Sequence, residues 1–467
     1  MKKYADLSYS DIWERIATDA GEDVADALLR LRSFYDTDKI IEWAASLYDP
    51  ERGGFYFSES ARDTKGYLPD IESTAQLLGV LKDDCAFSDI DSEMPEEIKR
   101  KVISFTRSLQ AEDGYFYHPQ WPQGKEHLNV DRYGRDLVSG TGLFSLFTLS
   151  DGERQVKQYP DRCIPGGMKC AVHTGTDGCC PICDSAEDTG PVTTTADVHP
   201  DYTSREAFSD WLEKFNANVK TNSGQAHKIA ELRYEINAHG YMDVVLDHLD
   251  RVQAEVYAEQ SAAGETPSGL WQRAANYRAV WGLLKYMALY NDPVWGRRID
   301  IKYVPHIVDI CIRVIGMPPD GAYMMNDLMN QWRGISRIID NVRKYYGEDA
   351  VRSIYAQVRR NAAPLVENTI KKLAPFKLED GTIAYQSNGR TLRRIYGVLI
   401  SEGEREADIN ALACSLGLYG SVLASLGVER VPPFSHCDGA RFSELLLNAE
   451  PIVKTKELTP LEGVIKK

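Results

Sequence analysis

Five polar residues stand where helices begin and could carry acid/base chemistry: Asp70, Glu72, Asp136, Asn276 and Asp408. Carboxylates gathered in a partly apolar cleft push one another's pKa values apart, leaving one protonated acid and one charged base. Two such groups across a glycosidic bond are what a glycosidase requires. The plainer account is that Asp and Asn cap helices, their side chains accepting hydrogen bonds from the free N–H groups of the first turn. Glu72 stands apart, because Asp70 already serves as cap, although an acid in a first turn is favoured by the helix dipole.

The elements that must hold these residues are read from periodicity. Apolar residues recur at three- and four-residue steps over 98–109, 208–219, 226–237, 241–259, 304–315, 328–345 and 350–373, which predicts helices. Strand-like alternation is scarce. Four segments share one plan of helix, glycine–aromatic turn, loop and a second, more apolar helix. The turns are Arg52-Gly53-Gly54-Phe55-Tyr56, Asp113-Gly114-Tyr115-Phe116-Tyr117, Ser268-Gly269-Leu270-Trp271 and Asp380-Gly381-Thr382-Ile383-Ala384-Tyr385. The second helices are expected to begin at Asp70, Asp136, Asn276 and Asp408. Aligned there, the fifth following position reads Ala75, Thr141, Trp281 and Ala413, and the eighth Leu78, Phe144, Leu284 and Leu416. Helices apolar on most sides must be buried by others, so apolar second helices inside and amphipathic first helices outside suit a closed ring. The expected fold is all-α, a single α/α toroid of about six helix pairs over residues 1–467.

The chain of 467 residues is 43% apolar and 26% charged, as in an ordinary globular protein. Its formal charge of −15 argues against nucleic acid, whose binding rests on Lys and Arg neutralising phosphates. The start, MKKYADLSYSDIWERIATDAGEDV, lacks the apolar core of a signal peptide. No apolar run approaches the roughly 20 residues of a membrane span, so a cytoplasmic location is expected.

One block, 151–201, is irregular and rich in Cys, Gly, Pro, Thr and Asp. It holds five of the nine cysteines, Cys163, Cys170, Cys179, Cys180 and Cys183. Cys180-Pro-Ile-Cys183 and Cys170-Ala-Val-His173 are pairs at metal-ligand spacing, and with Cys163 they exceed what a tetrahedral zinc needs. A structural zinc on Cys163, Cys170, His173, Cys180 and Cys183 is expected, with disulfide or redox pairs and unligated thiols as the alternatives. No organic cofactor is expected.

The stretches SLQAEDGYFYHPQW and YDPERGGFYFSES…PDIESTAQLLGVL resemble repeats of the α/α toroids, over about residues 35–150 and 265–430. That group includes the terpenoid cyclase and prenyltransferase superfamily and the toroids of sugar hydrolases, polysaccharide lyases and sugar epimerases. In such toroids the N-termini of the inner helices converge on one mouth. The resemblance therefore implies that Asp70, Glu72, Asp136, Asn276 and Asp408 face a shared cavity. Tyr56, Tyr117, Trp121, Trp271 and Tyr385 could stack on sugar rings, with Arg132 and Asn276 binding polar groups. Arg132, Tyr133, Arg135, Asn276, Tyr277 and Arg278 also offer lyase chemistry beside a uronate, since the guanidinium fork pairs with carboxylates. The catalytic candidates are Asp70, Glu72, Asp136, Asp408 and Tyr277.

The leading expectation is a carbohydrate-active enzyme, hydrolase or lyase, acting on an oligosaccharide that contains uronate. PDIESTA also resembles the Asp-x-Asp-Asp-Thr-Ala signature of class II terpene cyclases, with Glu72 in place of the middle acid, but Ser73 replaces the third Asp. A zinc-dependent prenyltransferase finds no matching constellation, and DPERGGFY resembles sugar 2-epimerases without their arginine and histidine signatures. A toroid that only binds a partner is the third alternative.

Overall fold

The computed structural model describes residues 9–84, 86–110, 116–118, 130–149, 200–220, 229–230, 232–291, 300–319, 322–395 and 398–459. Among these the chain is all-α. In order come α1 (Tyr9–Ala20), α2 (Glu22–Arg32), α3 (Thr37–Ser46), α4 (Glu59–Asp63), α5 (Ile71–Asp83) and α6 (Ile90–Glu93). Then follow α7 (Glu96–Ser108), α8 (Val130–Ser145), α9 (Arg205–Phe215), α10 (Arg233–Ala238), α11 (Met242–Ala262) and α12 (Tyr277–Asn291). The last are α13 (Val304–Gly316), α14 (Met325–Tyr346), α15 (Glu348–Arg359), α16 (Ala362–Leu373), α17 (Ile409–Leu426) and α18 (His436–Leu447). A two-stranded antiparallel ribbon, β1 (Arg394–Ile395) and β2 (Val398–Leu399), is the one sheet among the described residues.

The helix–turn–helix plan is present. Asp70 Oδ1 accepts from Glu72 N at 2.8 Å, Asn276 Oδ1 from Ala279 N at 3.0 Å, and Asp408 Oδ1 from Ala411 N at 2.7 Å. Each therefore caps its helix as its sequence position suggests. Asp136 does not. Helix α8 starts at Val130, six residues earlier, and Asp136 is buried inside it. Nothing from 130 to 135 breaks a helix: there is no proline, and the single Gly134 costs only about 1 kcal/mol.

The predicted helix over 350–373 is two helices, α15 and α16. Pro364 lies in the first turn of α16, and its ring would clash with the Arg360 carbonyl in a continuous helix. Only Arg233–Ala238 of the expected 226–237 helix is a named helix among the described residues.

The glycine turns make tight joints. Tyr48 and Phe55 form an antiparallel bridge, as do Gln110 with Phe116 and Lys377 with Ile383. Gly53 holds φ +87°, and a Cβ there would lie 2.3 Å from the Lys101 carbonyl oxygen on α7. Gly53→Ala is therefore expected to destabilise the protein by more than about 2 kcal/mol, through a left-handed backbone and a backbone clash that cannot both relax. Urea unfolding would show it; an unchanged midpoint would refute the account.

Packing sets the order of the second helices. α5 lies against α8 on one side and α17 on the other; α17 packs on α14, and α14 on α12. The first and last pairs along the chain are thus neighbours in space. α11 is tied to α12 through Trp271, which donates to the Leu249 carbonyl at 2.9 Å and meets Tyr286 edge-on at 4.7 Å. Among the described residues, α17 alone is long and apolar enough to cross a membrane (18 residues, mean hydropathy 1.5), yet 72% of that window is buried inside the protein. It is a core helix wedged between α5 and α14.

Candidate functional site

The series α8, α5, α17, α14, α12 encloses a cavity of about 840 Å³. Most of its wall is one face each of α5, α12, α14 and α17; α8 adds Arg135, and Tyr385, Leu392, Arg394, Ile395 and Arg430 come from outside these helices. Counting from the residue before the helix, position 2 supplies Glu72, Arg278, Asn326 and Asn410, and position 5 supplies Ala75, Trp281, Met329 and Ala413. Position 9 adds Gly79, Lys285, Arg333 and Gly417. The spacing is that of a single helical stripe, and α14 follows it although its start, Met324, has no acidic cap.

A hydrogen-bonded belt joins four of these helices near the N-terminal mouth. Arg135 Nε of α8 donates to Glu72 Oε1 at 2.8 Å, and Gln76 Nε2 donates to the same oxygen at 3.0 Å and to Asn410 Oδ1 at 3.2 Å. On α17 the Cys414 thiol donates to Asn326 Oδ1 at 3.0 Å, and Asn326 Nδ2 donates to the Tyr385 hydroxyl at 2.5 Å. Burial pushes the Cys414 thiol up to about 12. It therefore stays protonated near neutral pH and serves as a donor, with no thiolate to act as a nucleophile.

Charge is unevenly placed. The wall carries four acids, Glu72, Asp83, Asp84 and Asp340, against seven cations, Arg135, Arg278, Lys285, Arg333, Arg337, Arg394 and Arg430. Seven minus four leaves three positive charges around one cavity in a chain of net charge −15. The two buried acids are each tied to an arginine: Glu72 to Arg135, and Asp84 Oδ1 to Arg430 at 2.6 Å. Burial raises the Asp84 carboxyl to about 6, against the pull of Arg430, so its proton exchanges near neutral pH. Burial likewise lowers Arg333 to about 10, with Arg337 and Arg135 adding to the effect; it remains a cation at pH 7.

Of the residues proposed from sequence, Glu72, Arg135, Arg278 and Tyr385 line this cavity. Asp70 and Asp408 are buried caps behind the wall, Asp136 is buried within α8, and Asn276 caps α12 without lining the cavity. Tyr277 also lies off the cavity, with the Lys372 ammonium 5.5 Å from its ring centre and burial raising its hydroxyl to about 12. Tyr56 and Trp271 are core residues: the Tyr56 hydroxyl donates to Asp49 at 2.9 Å, and the aromatic turns seal joints between helices. Tyr117, half-buried, packs on the same core.

Trp121, the side chain of Arg132, and the zinc candidates Cys163, Cys170, His173, Cys180 and Cys183 lie outside the described residues. Among the described residues no group of three His, Cys, Asp or Glu could hold a metal. The sequence reading missed Asp84, Lys285, Arg333 and the Asn326–Asn410 pair. The signal for most of them was position 2 or 9 of the aligned helices.

No family model, curated protein or solved structure matches this chain.

Proposed function

We propose that the chain is an α/α toroid whose cavity binds a uronate-containing oligosaccharide and cleaves it by acid/base chemistry. The observation that carries this reading is the excess of cations around the cavity of a strongly acidic protein. Arginines in such a place pair with carboxylates through their two-pronged fork, while Trp281 offers a flat apolar face and Asn326, Asn330, Asn410 and Gln76 offer hydrogen bonds to hydroxyls. Concave sites with a few convergent polar groups are where small ligands bind.

The toroid is supported by chain order. Five first-and-second helix pairs are present, and the first and last pairs touch through α5 and α17. A sixth pair between α8 and α12 would close the ring.

Eleven charged side chains suit a hydrocarbon substrate poorly, which weighs against an isoprenoid. A cavity of this size, open to a ligand, weighs against a purely structural toroid. Of the two ways to break the glycosidic bond, elimination fits the charge better. A base removes the proton next to the uronate carboxylate, its electron pair forms the ring double bond, and the C4–O bond breaks as its oxygen takes a proton. Cations beside the carboxylate stabilise the charge that builds there. Glu72, Asp83, Asp84, Asp340 and Tyr385 are cavity groups able to move those protons.

The test is product analysis on a panel of uronate oligosaccharides and their neutral counterparts. Elimination creates an ultraviolet-absorbing unsaturated uronate; hydrolysis creates a reducing end without it. Cleavage of neutral oligomers alone, or of none, would overturn the reading.

A further inference from the structure

Deeper than the belt of Glu72, Asn326 and Tyr385 lies a cation with no counter-ion. Among the described residues the Arg333 guanidinium forms no ion pair; its one hydrogen bond runs from Nη1 to the Met329 sulfur at 3.5 Å. Charged groups on three helices act on it: Arg337 on its own α14, Arg135 on α8 and Asp83 on α5. It lines the cavity together with all three.

Two further positions on the wall are glycine. A Cβ on Gly417 would lie 3.3 Å from Met329 Sδ and 3.8 Å from Arg333 Nη1, and a Cβ on Gly79 would meet nothing within 4 Å. The two glycines keep the cavity open, on α17 beside the guanidinium and on α5. Arg333 is half-buried; a charge partly withdrawn from water and left unpaired is costly, and such costs concentrate where a ligand removes them.

We propose that Arg333 is a second anion subsite of this cavity, receiving the carboxylate of a sugar residue beyond the one at the mouth. Asn326 and Arg333 are seven residues apart on α14, about 10 Å along the helix axis, which is more than one sugar ring spans. The ligand is thus an oligomer with an acidic residue in its inner part. This rests on the reading of the cavity as a carbohydrate site.

The experiment measures the melting temperature of the full chain at fixed ionic strength with glucuronate, glucose or inorganic phosphate added. It compares the wild type with Arg333→Met and Gly79→Leu. A ligand that binds only the folded state raises Tm by an amount that grows with the logarithm of one plus the ratio of ligand concentration to Kd. The expected result is a rise with glucuronate and none with glucose. Arg333→Met should need about 10- to 100-fold more glucuronate for the same rise, the usual worth of a charge-assisted bond.

Gly79→Leu puts a side chain into the open space of the cavity, with a residue that favours helix more than glycine does. It should lose the response while staying folded. Without ligand, Arg333→Met should melt at or above the wild type, because it removes an uncompensated charge; a structural arginine would show the opposite.

An unchanged response in Arg333→Met, a lower unliganded Tm in that variant, or a wild-type rise with phosphate but not glucuronate would each overturn the proposal. Failure of the broader reading looks different: glucuronate binds through Arg333 while no oligosaccharide is cleaved.

Discussion

Asp408→Asn should make the protein more stable at pH 8 than the wild type, by about 4 kcal/mol, and leave it unchanged near pH 4. Asp408 is fully buried at the start of α17, and burial, with Glu406 nearby, raises its carboxyl from 3.8 to about 7 against the pull of the Ala411 and Asn410 N–H groups. In the unfolded chain the group ionises near 3.9. Below that value both states are protonated and the residue has no linkage effect. Between about pH 4 and pH 7 the unfolded chain releases its proton while the folded chain keeps it, so stability falls as pH rises. Three units at about 1.4 kcal/mol each give the magnitude. Asparagine caps a helix about as well as aspartate and does not titrate. Urea unfolding of both proteins at several pH values tests this; a difference that stays flat from pH 4 to pH 8 would show that Asp408 is ionised in the folded state.

That result would also explain why the helix starts misled in one respect. An acid before an apolar helix is legible as a cap, and Asp70, Asn276 and Asp408 are caps. A capping side chain turns back onto its own backbone, however, so it is the residue least free to point into the ring. The residue two places later faces inward, and there the types differ: Glu72, Arg278, Asn326 and Asn410. Aligning the repeats by their caps brought out the apolar fifth and eighth positions and passed over this polar one.

Helical class, helix pairing and most helix positions were legible because period and turn chemistry are local. The cavity's charge was not, since it sums residues from α5, α8, α12, α14, the ribbon and the segment after α17, which run from Glu72 to Arg430 in the chain. The aromatic turns were read as sugar platforms, yet Tyr56 and Trp271 are buried in the joints, where large rings bury the most apolar surface. Among the described members of that set only Tyr385 reaches the cavity, where Asn326 holds its hydroxyl.

Glu72→Gln carries the largest expected effect on activity, a loss of more than about a hundredfold in turnover, within the usual worth of a general acid or base. Glu72 is the one cavity carboxylate in the belt at the mouth, where Arg135 and Gln76 both bond its Oε1. Glutamine keeps an oxygen for those two donors and so retains the geometry. The cost in stability should stay near 1–2 kcal/mol, that of weakening one charge-assisted bond at a half-exposed arginine. Asp70→Asn is the matched control: it lies two residues away, caps α5, does not line the cavity, and should keep near wild-type turnover. A carboxylate that only anchors Arg135 would behave differently from one that moves a proton. Arg135→Met would then mimic Glu72→Gln in rate, and the pH profile of both would keep the wild-type shape. If Glu72→Gln alone flattens one limb of the profile, the proton passes through Glu72. If neither variant slows the reaction, Tyr385 and the buried Asp84 are the next proton carriers to test, and Tyr385→Phe and Asp84→Asn would divide the role between the mouth and the far end of α5.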